Sequence, residues 1–355
     1  MRKYIIALII IVITFSGLKN LRELNDLAIV KAMGIDITDE GKYKVTAIVS
    51  DTSDKESTDK GIIYDAEGDN VQQAIRFIVG KSPKKLYIAH METLLLSEKI
   101  AKENFMETLD FFIRDNEGSN NFYLFISNQS EAEEVIKTIN EQEINMKEML
   151  VSSTRYRGNS NTKTLNDNIK DILRPGRDIL VNSCKVVDGK IKIDDMAFFK
   201  DWNMLGFLSD DNSIVCNILN NNVENTIITG GENESLVVSE IISCKTNMKL
   251  ENDDTIKIKV DIKANISETG KNVSIQTVQD TKSIEEILEN KVERYIINLI
   301  EELKNTYNTD LIGIGNLLYR KKSPLFNDPE YLKKVNISVE AKVQIQNQGG
   351  VIKKW

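Results

Sequence analysis

The chain has 355 residues, 41% hydrophobic and 28% charged, with 4 Pro, 18 Gly and a net charge of −8. This excludes a collagen-like or disordered chain and leaves room for two or three globular domains. The acidic balance gives no general reason to bind nucleic acid, and no basic run with interleaved aromatics appears.

In chain order, the N-terminus reads MRKYIIALIIIVITFSGLKN. Arg2 and Lys3, an apolar run from Tyr4 to Phe15 and then Ser16-Gly17 form the layout of a bacterial lipoprotein signal. In such signals a cysteine follows and takes the lipid; here the position holds Leu18. Lipid transfer needs a thiolate nucleophile, so an unlipidated, uncleaved N-terminus is expected. As a helix, residues 4–17 rise about 21 Å, short of the roughly 30 Å hydrocarbon core. The segment is a marginal anchor, with Arg2 and Lys3 cytoplasmic and everything after about residue 20 outside.

The body opens with two strand-like runs, LAIVKAMGID and YKVTAIV. DTSDKESTDK (51–60) reads as a solvated loop and GIIYDAEG as a third strand. Asp69 or Asn70 then caps a helix whose one face carries Val71, Ala74, Ile75, Ile78 and Val79. KLYIAH and TLLLS read as buried strands around His90, taken as a half-buried structural histidine. FMETLDFFIRDN places Phe105, Leu109, Phe112 and Ile113 on a helical face, and NFYLFIS is a strand candidate. Residues 131–173 are helical by composition, broken into two parts at Gly158 to Asn161. Asp188-Gly189, between two strand-like runs, predicts a type I′ hairpin.

The C-terminal part has the clearest patterns. Ile256, Ile258, Val260, Ile262, Ala264 and Ile266 alternate strictly, as do Val335, Ile337, Val339, Ala341, Val343 and Ile345. Between them Ser283 and Glu286 form a capping box before a stripe made by Ile284, Ile287, Leu288, Val292, Tyr295, Ile296, Leu299, Ile300 and Leu303. The fold class expected is α+β: a multi-domain mixed α/β chain with a C-terminal antiparallel sheet packed against this long amphipathic helix. The expected division is a signal or anchor segment over 1–20, a mixed α/β N-terminal region over 21–200, of one or two subdomains, and a C-terminal α+β domain over 201–355.

Catalytic grammar is sparse. His90 is the only histidine, so a zinc site with two imidazoles is excluded and at most one histidine-assisted nucleophile is available. Cys184, Cys216 and Cys244 stand singly, without a CxxC, and read as buried or incidental thiols. No GxGxxG, GxxxxGK[ST], HExxH or GxSxG occurs. Asp194-Asp195, Asp210-Asp211 and Asp253-Asp254 are adjacent carboxylates, which on a strand point to opposite faces and are read as solvated turn acids. No enzyme, catalytic residue, metal site or cofactor is expected.

Four collinear stretches carry a family resemblance: LRELNDLAIVKAMGID (21–36), KLYIAHMETLLLSEKIAKENFMETLDFFIRDNE (85–117), MAFFKDWNMLGFLSDDNS (196–213) and NTDLIGIGNLLYRKKSPLF (308–326). They resemble the Ger(x)C spore germination proteins, the C subunits of nutrient germinant receptors in endospore-forming bacteria. The resemblance implies a non-enzymatic, extracytoplasmic subunit at the spore inner membrane, working with two integral membrane subunits of the A and B types. Leu18, Lys19 and Asn20 depart from the family's cysteine, tryptophan and aspartate. Arg114, Asp115 and Glu117, just past an apolar helix face, are the candidate partner contacts, and a solvated helix end is the plainer reading of them. Two other readings of the whole chain are an extracytoplasmic solute-binding protein and a drifted, non-functional paralogue.

Overall fold

The computed structural model describes residues 27–50, 60–114 and 120–347. Its first sheet begins with an antiparallel meander of β1 (Leu27–Ile37), β2 (Tyr43–Val49) and β3 (Ile62–Gly68). There follow α1 (Val71–Val79), β4 (Lys85–Tyr87), β5 (Thr93–Ser97), α2 (Glu98–Glu103), α3 (Phe105–Arg114) and β6 (Tyr123–Ser127). Three helices, α4 (Ala132–Glu141), α5 (Met146–Tyr156) and α6 (Leu165–Ile172), then lead to β7 (Leu180–Val187). β4 and β5 pair parallel to β1, β6 to β5 and β7 to β6. β8 (Lys190–Lys200) and β9 (Asn203–Phe207) complete nine strands as antiparallel hairpins. The expected β7–β8 turn is present, with Asp188 at φ 49° and Gly189 at φ 71°, the left-handed pair a type I′ turn requires.

Helices cover both faces of this sheet, which is why Leu94, Leu95 and Leu96 of β5 are all buried. In β5, Leu94 and Leu96 pack with Ile78 of α1, Ile100 of α2 and Phe105, Leu109 and Phe112 of α3. Leu95, between them, packs with Val135, Ile136 and Leu150 on the other face. Residues 131–173 form three helices rather than two, because the chain also breaks at Glu143, with φ 53°, before Asn145 caps α5.

The second sheet has the order β10-β11-β12-β13: β10 (Ile227–Gly230), β11 (Val237–Leu250), β12 (Thr255–Thr269) and β13 (Asn336–Asn347). α7 (Asp210–Leu219) precedes it, and α8 (Val278–Glu302), α9 (Ile314–Lys321) and α10 (Tyr331–Lys334) lie between β12 and β13. The apolar positions of β12 are buried together with Ile284, Leu288, Val292, Ile296, Leu299, Ile300 and Leu303 of the expected stripe.

Two expectations are corrected here. β12 and β13 run parallel, so the sheet is antiparallel only from β10 to β12. The long helix returns the chain to the end where β12 began, and a strand starting there pairs in parallel; antiparallel pairing is the outcome of a short turn. α8 also starts five residues before Ser283. Its capping box is Thr277 with Asp280, the Thr277 N–H donating to Asp280 Oδ2 at 2.9 Å and the Asp280 N–H to Thr277 Oγ1 at 3.1 Å. Asp280 does the work expected of Glu286, and the Ser283 hydroxyl donates back to the Gln279 carbonyl at 3.1 Å.

α8 also closes the sheet edge. Glu285, Glu289 and Glu293, four apart on one helix face, accept the outward N–H groups of Ile345, Val343 and Ala341 at 2.8, 2.9 and 2.9 Å. Those donors would otherwise template another strand.

Candidate functional site

The first resembling stretch builds a carboxylate site on β1. Gly34 has no side chain because a Cβ there would lie 2.8 Å from Ile136 Cγ1 and 3.0 Å from the Ala132 carbonyl, so its absence lets α4 approach the sheet. Two residues on, the Asp36 carboxylate accepts the Ala132 N–H at 2.7 Å and the Glu133 N–H at 2.9 Å, capping α4 across the fold. Burial first, and the neighbouring Glu131 carboxyl second, push Asp36 up to about 7 against the lowering effect of those two N–H groups. Asp36 therefore keeps its proton to a higher pH than an ordinary aspartate.

The fourth stretch builds another. Asp310 is buried, and its carboxylate accepts the N–H groups of Gly313, Ile314 and Gly315 at 2.7, 2.9 and 2.6 Å, and the Tyr331 hydroxyl at 3.1 Å. The Asp310 N–H in turn donates to Asp178 Oδ2 at 2.7 Å, while the Asp178 N–H donates to the Asp310 carbonyl at 2.8 Å. Thr309 donates to the same Asp178 oxygen, and the Asp201 N–H to the other. Gly176 and Gly315 meet backbone to backbone, a Cβ on Gly176 falling 2.6 Å from Gly315 Cα. This knot ties the loop before β7 and the β8–β9 turn to the segment between α8 and α9. Burial raises Asp310 above the usual carboxylate range despite its donors.

The acidic pairs correct an expectation. Asp194, Asp195 and Asp210 bring one carboxylate oxygen each to within 4.8 Å of one another. Ala197 pairs with Val181 but Asp194 with Ser183, so β8 carries an extra residue between those pairs. At such a bulge the rule that neighbours face opposite ways fails. The cluster is neutralised by its own cations: Lys192 lies 2.8 Å from Asp194, with Lys185 closer still, and Arg157 2.6 Å from Asp210. Burial, with Asp194 and Asp210 beside it, pushes Asp195 up to about 6. The arrangement suits a structural ion network between β7, β8 and α7.

Among the predicted contact residues, Arg114 ends α3 exposed, its Nε 2.7 Å from both carboxylate oxygens of Asp110. Asp115, Glu117 and Leu18, like the 51–59 part of the expected loop, lie outside the described residues. Beside Arg114 runs a groove of about 770 Å³ between α1, α3 and β4, floored by Ile75, Val79, Leu86, Tyr87, Ile88 and Phe111 and edged by Arg76 and Glu107. Ile75 and Val79 were expected in the core; the core takes Val71, Ala74 and Ile78 and leaves these two on the groove wall. An apolar arc on α1 wider than one buried face needs is the signal for this groove. His90 is exposed rather than half-buried, its ring edge-on to Tyr87 at 5.5 Å. Cys184 and Cys216 are buried and Cys244 partly so; burial pushes all three thiols up to about 12, leaving them poor nucleophiles at neutral pH.

Comparison with known proteins matches two family models in succession: the spore germination protein N-terminal domain over residues 20–186, and the spore germination B3/GerAC-like C-terminal domain over 194–349. Spore germination protein KC of Bacillus subtilis (strain 168) is 24% identical, covering 98% of this chain and 96% of the relative. Spore germination protein B3 of the same organism is 24% identical over 90% of this chain and 87% of its own. Spore germination protein GerQC of Bacillus cereus is 22% identical over 98% and 99%. The crystal structure of the GerBC protein superposes with a TM-score of 0.60 at 21% identity, covering 89% of this chain and 97% of that one, so the fold is shared. With both family models matched in order along nearly its whole length, and with that shared fold, the chain belongs to the GerAC family of spore germination proteins.

Proposed function

We propose that this chain is the extracytoplasmic, non-enzymatic C subunit of a membrane germinant receptor, needed for nutrient-triggered germination and working with two integral membrane subunits of the A and B types. The observation that carries the reading is the ordered match of both family domains across residues 20–186 and 194–349. Among the described residues no helix is long and apolar enough to cross a membrane. The segment from Tyr4 to Phe15, ahead of them, supplies the attachment in this reading and holds the body on the outer face. The rim around Arg114, with Asp115 and Glu117 following it, is the proposed partner contact, since a groove with an apolar floor and a charged edge is the form a protein partner uses.

Germination of spores deleted for this gene alone, scored across nutrients, tests the role. A defect restored by the wild-type gene is expected; germination at parental rate on every nutrient would refute it. Labelling with a fatty-acid analogue tests the attachment: the wild-type chain should take no label and a Leu18→Cys variant should gain it. Charge reversal at Arg114 and Asp115 that leaves germination and folding intact would remove that rim from the contact.

A further inference from the structure

The face of the second sheet turned away from α8 carries a concentration of positive charge that runs against the acidity of the chain. Strand alternation sends Lys245 and Lys249 of β11, Lys257, Lys259 and Lys263 of β12, and Lys342 of β13 to this side, opposite the buried set. Register places them together: Lys249 lies across from Lys257, and Asp261 sits between Lys245 and Lys342. The carboxylates interspersed among them are Asp261, Glu340, Glu240 across from Asn265, and Glu251 beside Thr255 and within reach of Lys257. Glu340 is occupied by Lys257 at 2.6 Å and Lys259 at 3.3 Å. Lys245, Lys249, Lys263 and Lys342 show no ion pair among the described residues. Six lysines against four carboxylates on one face still leave an excess of positive charge, in a chain of net charge −8.

The chemistry of the face narrows what covers it. The large exposed apolar side chains of this sheet's outward face, Ile227 of β10 and Ile242 at the β11 bulge, lie at its β10 end. Residues 243–269 and 336–347 hold none, so no apolar anchor for a specific protein interface sits among the lysines. Neither aromatic side chains for stacking bases nor arginine forks for bidentate recognition occur there. Addition of a peptide strand at the β13 edge is blocked where Glu285, Glu289 and Glu293 occupy its donors. A broad surface of lysine point charges fits a broad surface of anionic charge that asks for no register.

We infer that this lysine face rests on an anionic phospholipid surface, orienting the second sheet against the membrane that carries the chain. The inference rests on the membrane attachment proposed above and adds to it a side of the molecule and a headgroup charge. An acidic body tethered near an anionic bilayer is repelled less when it turns a basic face inward, and this face does so without drawing on the groove at Arg114.

The test uses the full chain reconstituted with vesicles of phosphatidylcholine alone or phosphatidylcholine mixed with phosphatidylglycerol, and reads acylation of each lysine by mass spectrometry. At about 0.01 M salt, where the screening length is about 30 Å, Lys245, Lys249, Lys263 and Lys342 should be acylated several-fold more slowly on the anionic vesicles only. At about 1 M salt, where it is about 3 Å, the protection should vanish. Lys147 and Lys190, exposed elsewhere, serve as internal references. A quadruple variant (Lys245→Glu, Lys249→Glu, Lys263→Glu and Lys342→Glu), all at solvent-facing positions and checked for a parental melting curve, should lose the protection that the parent shows at Lys257 and Lys259, the lysines of the face that remain. Equal acylation on both vesicle types, protection retained by that variant, or protection that grows with protein concentration in the absence of vesicles would each overturn the inference. Flotation with phosphatidylcholine alone reports the N-terminal attachment separately, so failure of the tether and failure of the face are distinguishable.

Discussion

The nine-stranded and four-stranded sheets bury their residues by different rules. Helices cover both faces of the first, so Leu94, Leu95 and Leu96 are all buried although they alternate in direction. A helical layer covers one face of the second, so Ile256 to Ile266 are buried at every other position and Lys257, Lys259, Asp261, Lys263 and Asn265 fill the rest. The difference teaches that tolerance to substitution depends on layer count more than on strand type. In the first sheet every position of β5 is core; in the second, about half the positions of β12 are.

The sharpest way to break this contrast is a charge inserted at successive positions. Leu94→Asp and Leu95→Asp should both destabilise strongly, whereas Ile258→Asp should and Lys259→Asp should not. Ile296→Asp, in the α8 stripe over the second sheet, belongs with the damaging set. Each damaging change leaves an unpaired buried charge, at a cost of about 3–5 kcal/mol in urea denaturation. An Ile296→Asp variant that melts like the parent would show that the helix face is misassigned. Equal effects at 258 and 259 would end the layer argument.

The Asp310 knot links the regions and should come next. Asp310→Ala leaves three buried N–H groups and the Tyr331 hydroxyl without their acceptor, and the expected loss is about 3–5 kcal/mol, moderated by relaxation of the loop. A calorimetric scan that resolves two transitions in the variant, against one in the parent, would show that the knot couples the sheets. A single unchanged transition would show that it does not.

Asp36 gives the first sheet a pH dependence of its own. Its folded value of about 7 lies above the unfolded 3.8, so the folded state binds the extra proton. The stabilisation is complete below about pH 4 and is lost as pH rises towards 7, at most about 4 kcal/mol. Asp36→Asn removes this titration, so the variant's urea midpoint should fall less than the parent's between pH 4 and 7. Parallel curves would mean that Asp36 is ionised throughout.

The smallest effect concerns the β13 edge. Glu289→Ala frees one N–H at a partly solvated position and should cost about 1 kcal/mol. Its clearer readout is hydrogen exchange, which should quicken at Val343 and not in β5, a strand paired on both sides.

Much of the second sheet was legible because one-sided burial writes itself into sequence as alternation, and helix burial as a stripe. Pairing direction was not legible: Ile256 to Ile266 and Val335 to Ile345 look the same whichever way they run, and the α8 return decided it. The cap moved from Ser283 to Thr277 because an aspartate closes the box as well as the expected glutamate. In the first sheet TLLLS could be read as buried, but which leucine faces which helix depends on the layers above and below. The groove, the Asp36 and Asp310 sites and the meeting of Asp194, Asp195 and Asp210 escaped because their members are tens to hundreds of residues apart, or because a bulge overrode strand parity.

By itself the sequence determined the family resemblance, the apolar N-terminal segment lacking its cysteine, the hairpin at Asp188-Gly189 and the alternating and striped faces. All of these are local, fixed by chemistry within a few turns or strands of one residue. Tertiary structure alone decided strand direction, the partition of Ile75 and Val79 from core to groove, the burial that raises Asp36 and the grouping of six lysines on one face. Those are set by which distant segments come within a few ångströms, where desolvation and charge act through space rather than along the chain.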